Sequence, residues 1–568
     1  MPRPTTNPEG GAAPLSERHA RRAAMLVRMA MPVLCLAMAL LWLLPGQFGR
    51  SPWKADEGYT FGVVYSMLAD GHWLVPTLAG EPFMEKPPLV YWLGAGFADA
   101  LRGVLPLHEG ARMASVACAV AAFGFTWLAA REIDRDDGPP CAPLILAGCP
   151  AWLYASRFLV CDVGLLAFQA VAAYGLLRLL RRGDAIGAAW LATGLGAAFM
   201  TKGFVSPAAN GIGLLLLGAD ARFRSVLTRR NLAVFVLAAA PWFAAWPAAL
   251  AWTSPQLLGQ WFWVDNVGRF LGLNDLSPSK SWRLLLEAPL LLSPALPVAL
   301  LAAAQRGRAM LASPARGAWA MVAGWALVLG ASAQVRSVYF LPMLVPLALL
   351  AGRCRRPAAD PSAADPPVIA GQAAGPATGR AMIALAILGL AALAALDRIP
   401  SSMVRRADLR IVLESGAQPG LIAAAVVALA AFLVLRGRLA SLRSPAVTWA
   451  VCLTVWWAAF VGTFERGLER TTGFAEPYTE LARLLPRDGC VASIGLGESE
   501  RGLLHYYAGL ETIRIERAPQ TAATCRYLLR QHRGSGPATE GADRWPRLLG
   551  SFARPGDTAL RFDLLANR

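Results

Sequence analysis

The chain has 568 residues, 56% of them hydrophobic and only 16% charged, with a formal net charge of +17 and a mean hydropathy of +0.44. That balance excludes an ordinary soluble enzyme and describes a polytopic α-helical membrane protein. The excess of base also excludes a nucleic-acid binder: the Arg clusters "RRGD", "ARFRSVLTRR", "QRGRAM", "GRCRR" and "RGRLASLRS" sit between apolar runs rather than in one basic soluble domain. They read as the positive-inside signature, with attraction to anionic membrane lipid adding to it.

Residues 1–23 are polar and basic and predict a cytoplasmic tail. The apolar run at 24–45 has no small-residue cleavage site after it and is read as a retained first span. Further runs at 110–130, 142–156, 161–181, 186–200, 204–219, 231–251, 284–304, 317–333, 337–352, 380–397, 419–436 and 446–464 bring the predicted spans to thirteen, within a transmembrane domain over 24–464. The stretch 88–103 is glycine-interrupted and carries Asp99 and Arg102. If it does not span, every Arg cluster falls on the side of the N-terminus, and the loops at 46–109, 252–283 and 398–418 fall opposite. If it spans, the later clusters change sides. The positive-inside bias selects the first arrangement, which makes 88–103 a juxtamembrane helix lying in the interface.

Residues 353–379, rich in Pro, Ala and Asp, predict a flexible cytoplasmic linker. From 465 to 568 the composition becomes soluble, and thirteen spans place this part outside. Its apolar stretches "CVASIGL" and "ETIRIE" alternate with "YTELARLL" and "TCRYLLRQ", the pattern of a small α/β domain. His505 is expected to pack inside it. Of nine cysteines, only Cys490 and Cys525 fall in a polar segment, where a disulfide is open to them if the segment is extracytoplasmic. Trp73, Tyr91, Trp92, Trp261 and Trp263 fit an interfacial aromatic belt, or a platform for sugar or lipid.

The same parity puts Asp56, Glu57, Glu85, Lys86, Asp162, Lys202, Arg269, Arg336 and Tyr339 on one membrane face, each at or just past the end of a span. Charges there cost energy unless they meet partners or line a cavity, so a shared site is one reading. Snorkelling of each to the interface is the other, less open to the short carboxylates. Carboxylates beside several cations suit transfer of a group from a phosphate leaving group: cations neutralise the phosphate while a carboxylate activates the incoming oxygen. A secondary transporter or lipid flippase is the alternative, and it would place charges near the bilayer midplane within internal repeats. No internal repeat is found.

The order of Asp-Glu after the first span, "MLADGHWLVPTLAGEPFMEKPPLVYWLGA", a lone Asp after the third span, "TKG", "NVGRF" and "VYFLP" resembles the GT-C membrane glycosyltransferases. Within them it is most similar to the branch of the lipid A aminoarabinose transferases, with protein O-mannosyltransferases more distant. The resemblance covers residues 50–350 and implies a GT-C fold with juxtamembrane helices in a first periplasmic loop, 46–109, and a periplasmic C-terminal domain. It implies an inverting transfer in the bacterial inner membrane, from a polyprenyl (undecaprenyl) phosphate-linked sugar to a lipid A-like or other lipid or glycan acceptor. By matched position Asp56 is the catalytic carboxylate and Asp162 the second. Lys86, Lys202 and Arg269 grip the donor phosphate, Glu85 holds the loop or a divalent cation, and Tyr339 stands near the donor. The chain differs from that branch at Tyr59 and Thr60, which replace an Arg-Tyr pair, and at Asp265 and Asn266, where a His is common.

Overall fold

Among the described residues of the computed structural model, six helices are long and apolar enough to cross a bilayer: Leu107–Ile133, Cys161–Arg182, Arg229–Thr253, Thr378–Leu396, Pro419–Arg438 and the helix that starts at Pro445 and runs to Thr472. The structure describes residues 31–133, 141–273, 282–353, 376–396, 406–485, 489–534 and 544–567. The predicted tail and most of the predicted linker lie outside the described residues, and a helix already begins at Pro376. Five shorter apolar helices accompany the six: Met31–Leu43, Val205–Leu217, Ala295–Arg306, Arg316–Ala331 and Ser337–Ala351.

Several predicted spans are not single α-helices. The run 142–156 is two six-residue helices, Ala142–Ala147 and Pro150–Ala155, because Pro150 has no N–H with which to continue the ladder. The run 284–304 is broken between Trp282–Leu291 and Ala295–Arg306, at Pro294. In the run 337–352, 3₁₀ turns over Ser337–Met343 precede the α-helix Leu344–Ala351. The last predicted span ends at 464, whereas its helix continues to Thr472. Gly467 there lets the backbone press on Val412, whose Cα would stand 2.4 Å from an added Cβ.

The helices Cys161–Arg182 and Ala185–Lys202 form an antiparallel hairpin. Gly183 takes a left-handed conformation at the turn, and Asp184 caps the second helix by accepting from the Gly187 N–H at 2.8 Å. Their backbones touch: a Cβ on Gly194 would lie 2.3 Å from the Ala172 nitrogen. Two arms of similar length return the chain to its starting level, so Asp162 in the first turn and Lys202 in the last turn meet at one end. Each sits where the helix dipole favours its charge.

Outside the long helices, the helix Ala55–Asp70 is followed by a hairpin of β1 (Thr77–Leu78) and β2 (Glu81–Pro82). Ala79 and Gly80 both have positive φ in its two-residue turn, as this hairpin type requires. The helix predicted over 88–103 is present as Leu89–Ala100, with the exposed Asp99 and Arg102 paired at 2.8 Å.

The C-terminal part holds a five-stranded sheet in the order β4-β3-β5-β7-β6, made of β3 (Val491–Ile494), β4 (Ile513–Arg514), β5 (Tyr527–Arg533), β6 (Arg547–Arg554) and β7 (Asp557–Ala566). β3 runs parallel to β4 and β5, and β7 antiparallel to β5 and β6. "TCRYLLRQ" is thus largely the central strand β5 rather than a helix, because pairing on both of its edges overrides its composition. A disulfide joins Cys490 to Cys525.

This part and the first loop share one core, in which Tyr59, Phe61, Val63 and Met67 meet Leu503, Leu504, Leu529 and Phe562. The helix Glu498–Ala508 lies directly on Ala55–Asp70. A Cβ at Gly62 would stand 2.8 Å from the Gly502 Cα, and the Ser499 hydroxyl donates to the Ala55 carbonyl at 2.5 Å. Glu81 of the hairpin is held by Arg501, Arg514 and Arg517 at 3.1, 3.2 and 2.8 Å. Gly62→Val is therefore expected to force the two helices apart, costing about 1–3 kcal/mol. It is read as a lower melting temperature in detergent, and an unchanged one would show that the contact is loose.

Candidate active site

Asp56 and Glu57 lie in the first turn of Ala55–Asp70, where the helix dipole favours both. Neighbours on a helix project about 100° apart, so the two side chains part company. Glu57 turns inward and is fully buried. It accepts from Arg50 at 2.7 and 3.2 Å, from Arg112 at 2.6 Å and from the Leu159 N–H at 3.3 Å. Burial would raise its pKa, but Arg112 and Arg50 outweigh this and hold it at about 2. Grouped by the sequence with the substrate-binding residues, Glu57 has its carboxylate held by Arg50 and Arg112.

Asp56 turns the other way, its side chain 24% exposed. It accepts from the Tyr59 hydroxyl at 3.0 Å, one turn along the same helix, and from Arg336 at 3.3 Å. The Tyr59 oxygen in turn accepts from Lys86 at 2.6 Å, whose ammonium also lies 4.5 Å from the centre of the tyrosine ring. Burial acts to lower the Lys86 pKa, yet Tyr59 and Glu85 keep it well above the ordinary value, so the ammonium is charged. Burial pushes the Tyr59 phenol up, against the pull of Lys86, and it stays protonated. A continuous chain runs from Lys86 through Tyr59 to Asp56.

Glu85 takes Arg269 at 2.7 Å and faces Lys86 at 3.6 Å. Despite burial, Lys86 and Arg269 depress its pKa to about 2. Arg269 follows a π-helical segment, Gln260–Gly268, whose wide turns recur at functional sites. That segment also brings Asp265 to 3.6 Å from Arg269. Burial pushes Asp265 up to about 6, with Arg269 opposing. Lys202 is ion-paired with Asp162 and sits 3.8 Å from the centre of the Tyr339 ring.

Glu85, Lys86, Lys202, Asp265, Arg269 and Tyr339 all line one cavity of about 510 Å³. Its remaining wall is mostly apolar, with Leu165, Phe204, Ile212, Phe262, Trp325 and Val328. Asp56 does not line it but is tied to it through Tyr59. Asp162 touches it only through Lys202, and Arg336, 62% exposed, stands on the solvent side of Asp56. A divalent cation near Glu85, expected from the sequence, does not fit: both carboxylate oxygens already face cations, and Asp265 is turned to Arg269. Nothing in the sequence marks Arg50 or Arg112 as a site residue, and Tyr59 stands out there only as a difference from the aminoarabinose branch. The i, i+3 spacing of Tyr59 from Asp56 was the available signal. Among the expected belt aromatics Trp73 and Trp263 are exposed, while Tyr91 and Trp261 are buried.

Among known proteins, residues 85–246 match the family described as dolichyl-phosphate-mannose-protein mannosyltransferase. The undecaprenyl phosphate-alpha-4-amino-4-deoxy-L-arabinose arabinosyl transferase of Edwardsiella ictaluri is 31% identical over 326 residues, 53% of this chain and 55% of its own length. A counterpart from Sodalis glossinidius is 29% identical over 351 residues, 58% and 59% of the two chains. The chain thus spans somewhat over half the length of the curated relatives it matches. The crystal structure of ArnT from Cupriavidus metallidurans bound to undecaprenyl phosphate aligns with a TM-score of 0.66 at 17% identity, covering 95% of this chain and 98% of that one. Its apo form gives 0.67, so the fold is shared from end to end. The chain is thus similar over residues 85–246 to the protein mannosyltransferases and over somewhat more than half its length to the aminoarabinose transferases, and it shares the fold of ArnT.

Proposed function

We propose that the chain is an inverting glycosyltransferase that moves a sugar from a polyprenyl phosphate, of the undecaprenyl type, to a lipid A-like or other envelope acceptor. The reaction takes place on the periplasmic side of the bacterial inner membrane. Asp56 takes the proton of the acceptor hydroxyl as its oxygen bonds to the anomeric carbon. The bond from that carbon to the phosphate oxygen breaks, and the electron pair departs with the polyprenyl phosphate. The phosphodiester becomes a monoester, and the negative charge it gains falls against Lys86, Lys202 and Arg269. Tyr59 orients Asp56, Asp162 holds Lys202 in place, and Glu85 aligns Lys86 and Arg269. Arg336 and Tyr339 border the donor. The apolar wall receives the first isoprene units.

The observation that carries this reading is the convergence of Lys86, Lys202 and Arg269, from distant segments, on one largely apolar cavity coupled to a carboxylate. The disulfide between Cys490 and Cys525 supports an oxidising compartment for the C-terminal domain, and the positive-inside bias of the Arg clusters favours a cytoplasmic N-terminus. The test is sugar transfer by the purified protein in detergent, where no compartments exist and no transport can be scored. Transfer with release of polyprenyl phosphate is expected. Folded protein that releases none, across aminoarabinose and hexose donors, contradicts the proposal and favours a transporter.

Lys86→Ala removes one charge-assisted contact, worth about 1.5–3 kcal/mol. The KM for the donor is expected to rise by roughly 10-fold to 150-fold, with the KM for the acceptor little changed. An unaltered donor KM would remove Lys86 from the phosphate site.

A further inference from the structure

We propose that Asp70, His505 and Glu511 form a zinc-type divalent cation site that clasps the far end of the Asp56-bearing helix to the C-terminal domain. Each residue offers one ligand atom, and the three atoms lie within 4.8 Å of one another. They come from separate pieces of chain. Asp70 is the last residue of Ala55–Asp70, His505 belongs to Glu498–Ala508, and Glu511 follows that helix, its carboxylate lying over the Gly80 turn of the β1–β2 hairpin.

The charges call for a cation. Asp70 stands at the negative end of its helix dipole, and the last turn has no basic residue to offset it. Among the described residues no Lys or Arg pairs with Asp70 or Glu511, although the chain carries a net charge of +17. His505 supplies the independent sign of a ligand. Its residue is 7% exposed, its Nδ1 is buried without a hydrogen-bond partner, and its Nε2 faces the Glu511 carboxylate at 3.6 Å. Tyr65 packs edge-on against the imidazole at 4.9 Å between centres and limits its rotation. A buried ring nitrogen left without a partner is rare and calls for an explanation.

One imidazole and two carboxylates, with water in the fourth position, are a donor set that Zn²⁺ accepts. Ligand bonds of about 2.0–2.2 Å need the three atoms drawn somewhat closer than they stand. Asp70 and Glu511 are on the surface, so side-chain rotation supplies that movement without moving the backbone. The cation would fix the end of the helix opposite Asp56 and so stiffen the carrier of the carboxylate. This site is distinct from the cavity at Glu85, and the proposal does not depend on the reaction proposed above.

The test uses the full-length protein in detergent, stripped with a chelator and titrated with ZnCl₂, with bound zinc counted by mass spectrometry and melting followed in parallel. One Zn²⁺ per chain and a raised melting temperature are expected. The double variant Asp70→Asn, Glu511→Gln changes only exposed side chains and keeps the fold. It is expected to weaken zinc binding at least about tenfold and to lose the thermal shift. His505→Asn should do the same. No stoichiometric zinc, or equal affinity in the wild type and the double variant, overturns the proposal, the latter because the bound zinc then belongs to other residues. Sugar transfer is not measured, so the result stands apart from the proposed function.

Discussion

Asp56→Asn is expected to lower the turnover of sugar transfer by about 10²–10⁴-fold, the range that general-base assistance supplies, while the protein remains folded. Asparagine keeps the shape of the side chain and can still accept from the Tyr59 hydroxyl, which stands 3.0 Å from Asp56. What it cannot do is take the proton of the acceptor. The lost partner of Arg336 costs little, because that guanidinium is 62% exposed and well screened. Asp56 does not line the donor cavity, so the donor KM should move far less than kcat. Normal turnover in this variant would assign the base to another group. Collapse of the donor KM alone would make Asp56 a binding residue.

The largest expected loss of stability lies one residue away. Glu57→Gln leaves Arg50 and Arg112, both buried, facing a neutral amide. Breaking a buried pair in this way costs about 3–5 kcal/mol, and here one carboxylate serves two guanidinium groups. The expected result is a sharply lower melting temperature in detergent, with activity per folded molecule falling less than in Asp56→Asn. The pH dependence follows from the sign of the shift. The Glu57 carboxyl is held at about 2 in the fold against an ordinary 4.5. Its contribution is complete above about 4.5 and fades as pH falls through about 2. The gap between wild type and variant should therefore be constant from pH 8 to 5 and close only in strong acid. A gap that closes near neutrality would place the stabilisation elsewhere.

Asp56, Lys86, Lys202, Arg269 and Tyr339 could be grouped from the sequence because charged and polar groups at the ends of apolar runs need partners. The span parity set them on one face, and the hairpin Cys161–Arg182 and Ala185–Lys202 carries out that pairing for Asp162 and Lys202. Glu57 shows the limit. Beside Asp56 it looks equally reactive, but Arg50 and Arg112 resemble ordinary flanking charges until the fold brings them together. Breaks within apolar runs were equally obscure. Hydropathy does not register that Pro150 and Pro294 interrupt a helix, although their ring chemistry does. In β5, Tyr527–Arg533, pairing with β3 and β7 decides a segment whose composition suits a helix. The docking of Gly62 on Gly502 joins residues 440 positions apart, and no local pattern announces it.

The most direct test of the central claim is a structure of the protein in lipid with a polyprenyl phosphate bound. The account predicts the phosphate between Lys86, Lys202 and Arg269, the prenyl chain along Leu165, Ile212 and Trp325, and Asp56 open to the acceptor side. A head group held anywhere else, with those three cations still paired only to Tyr59, Asp162, Glu85 and Asp265, would contradict it.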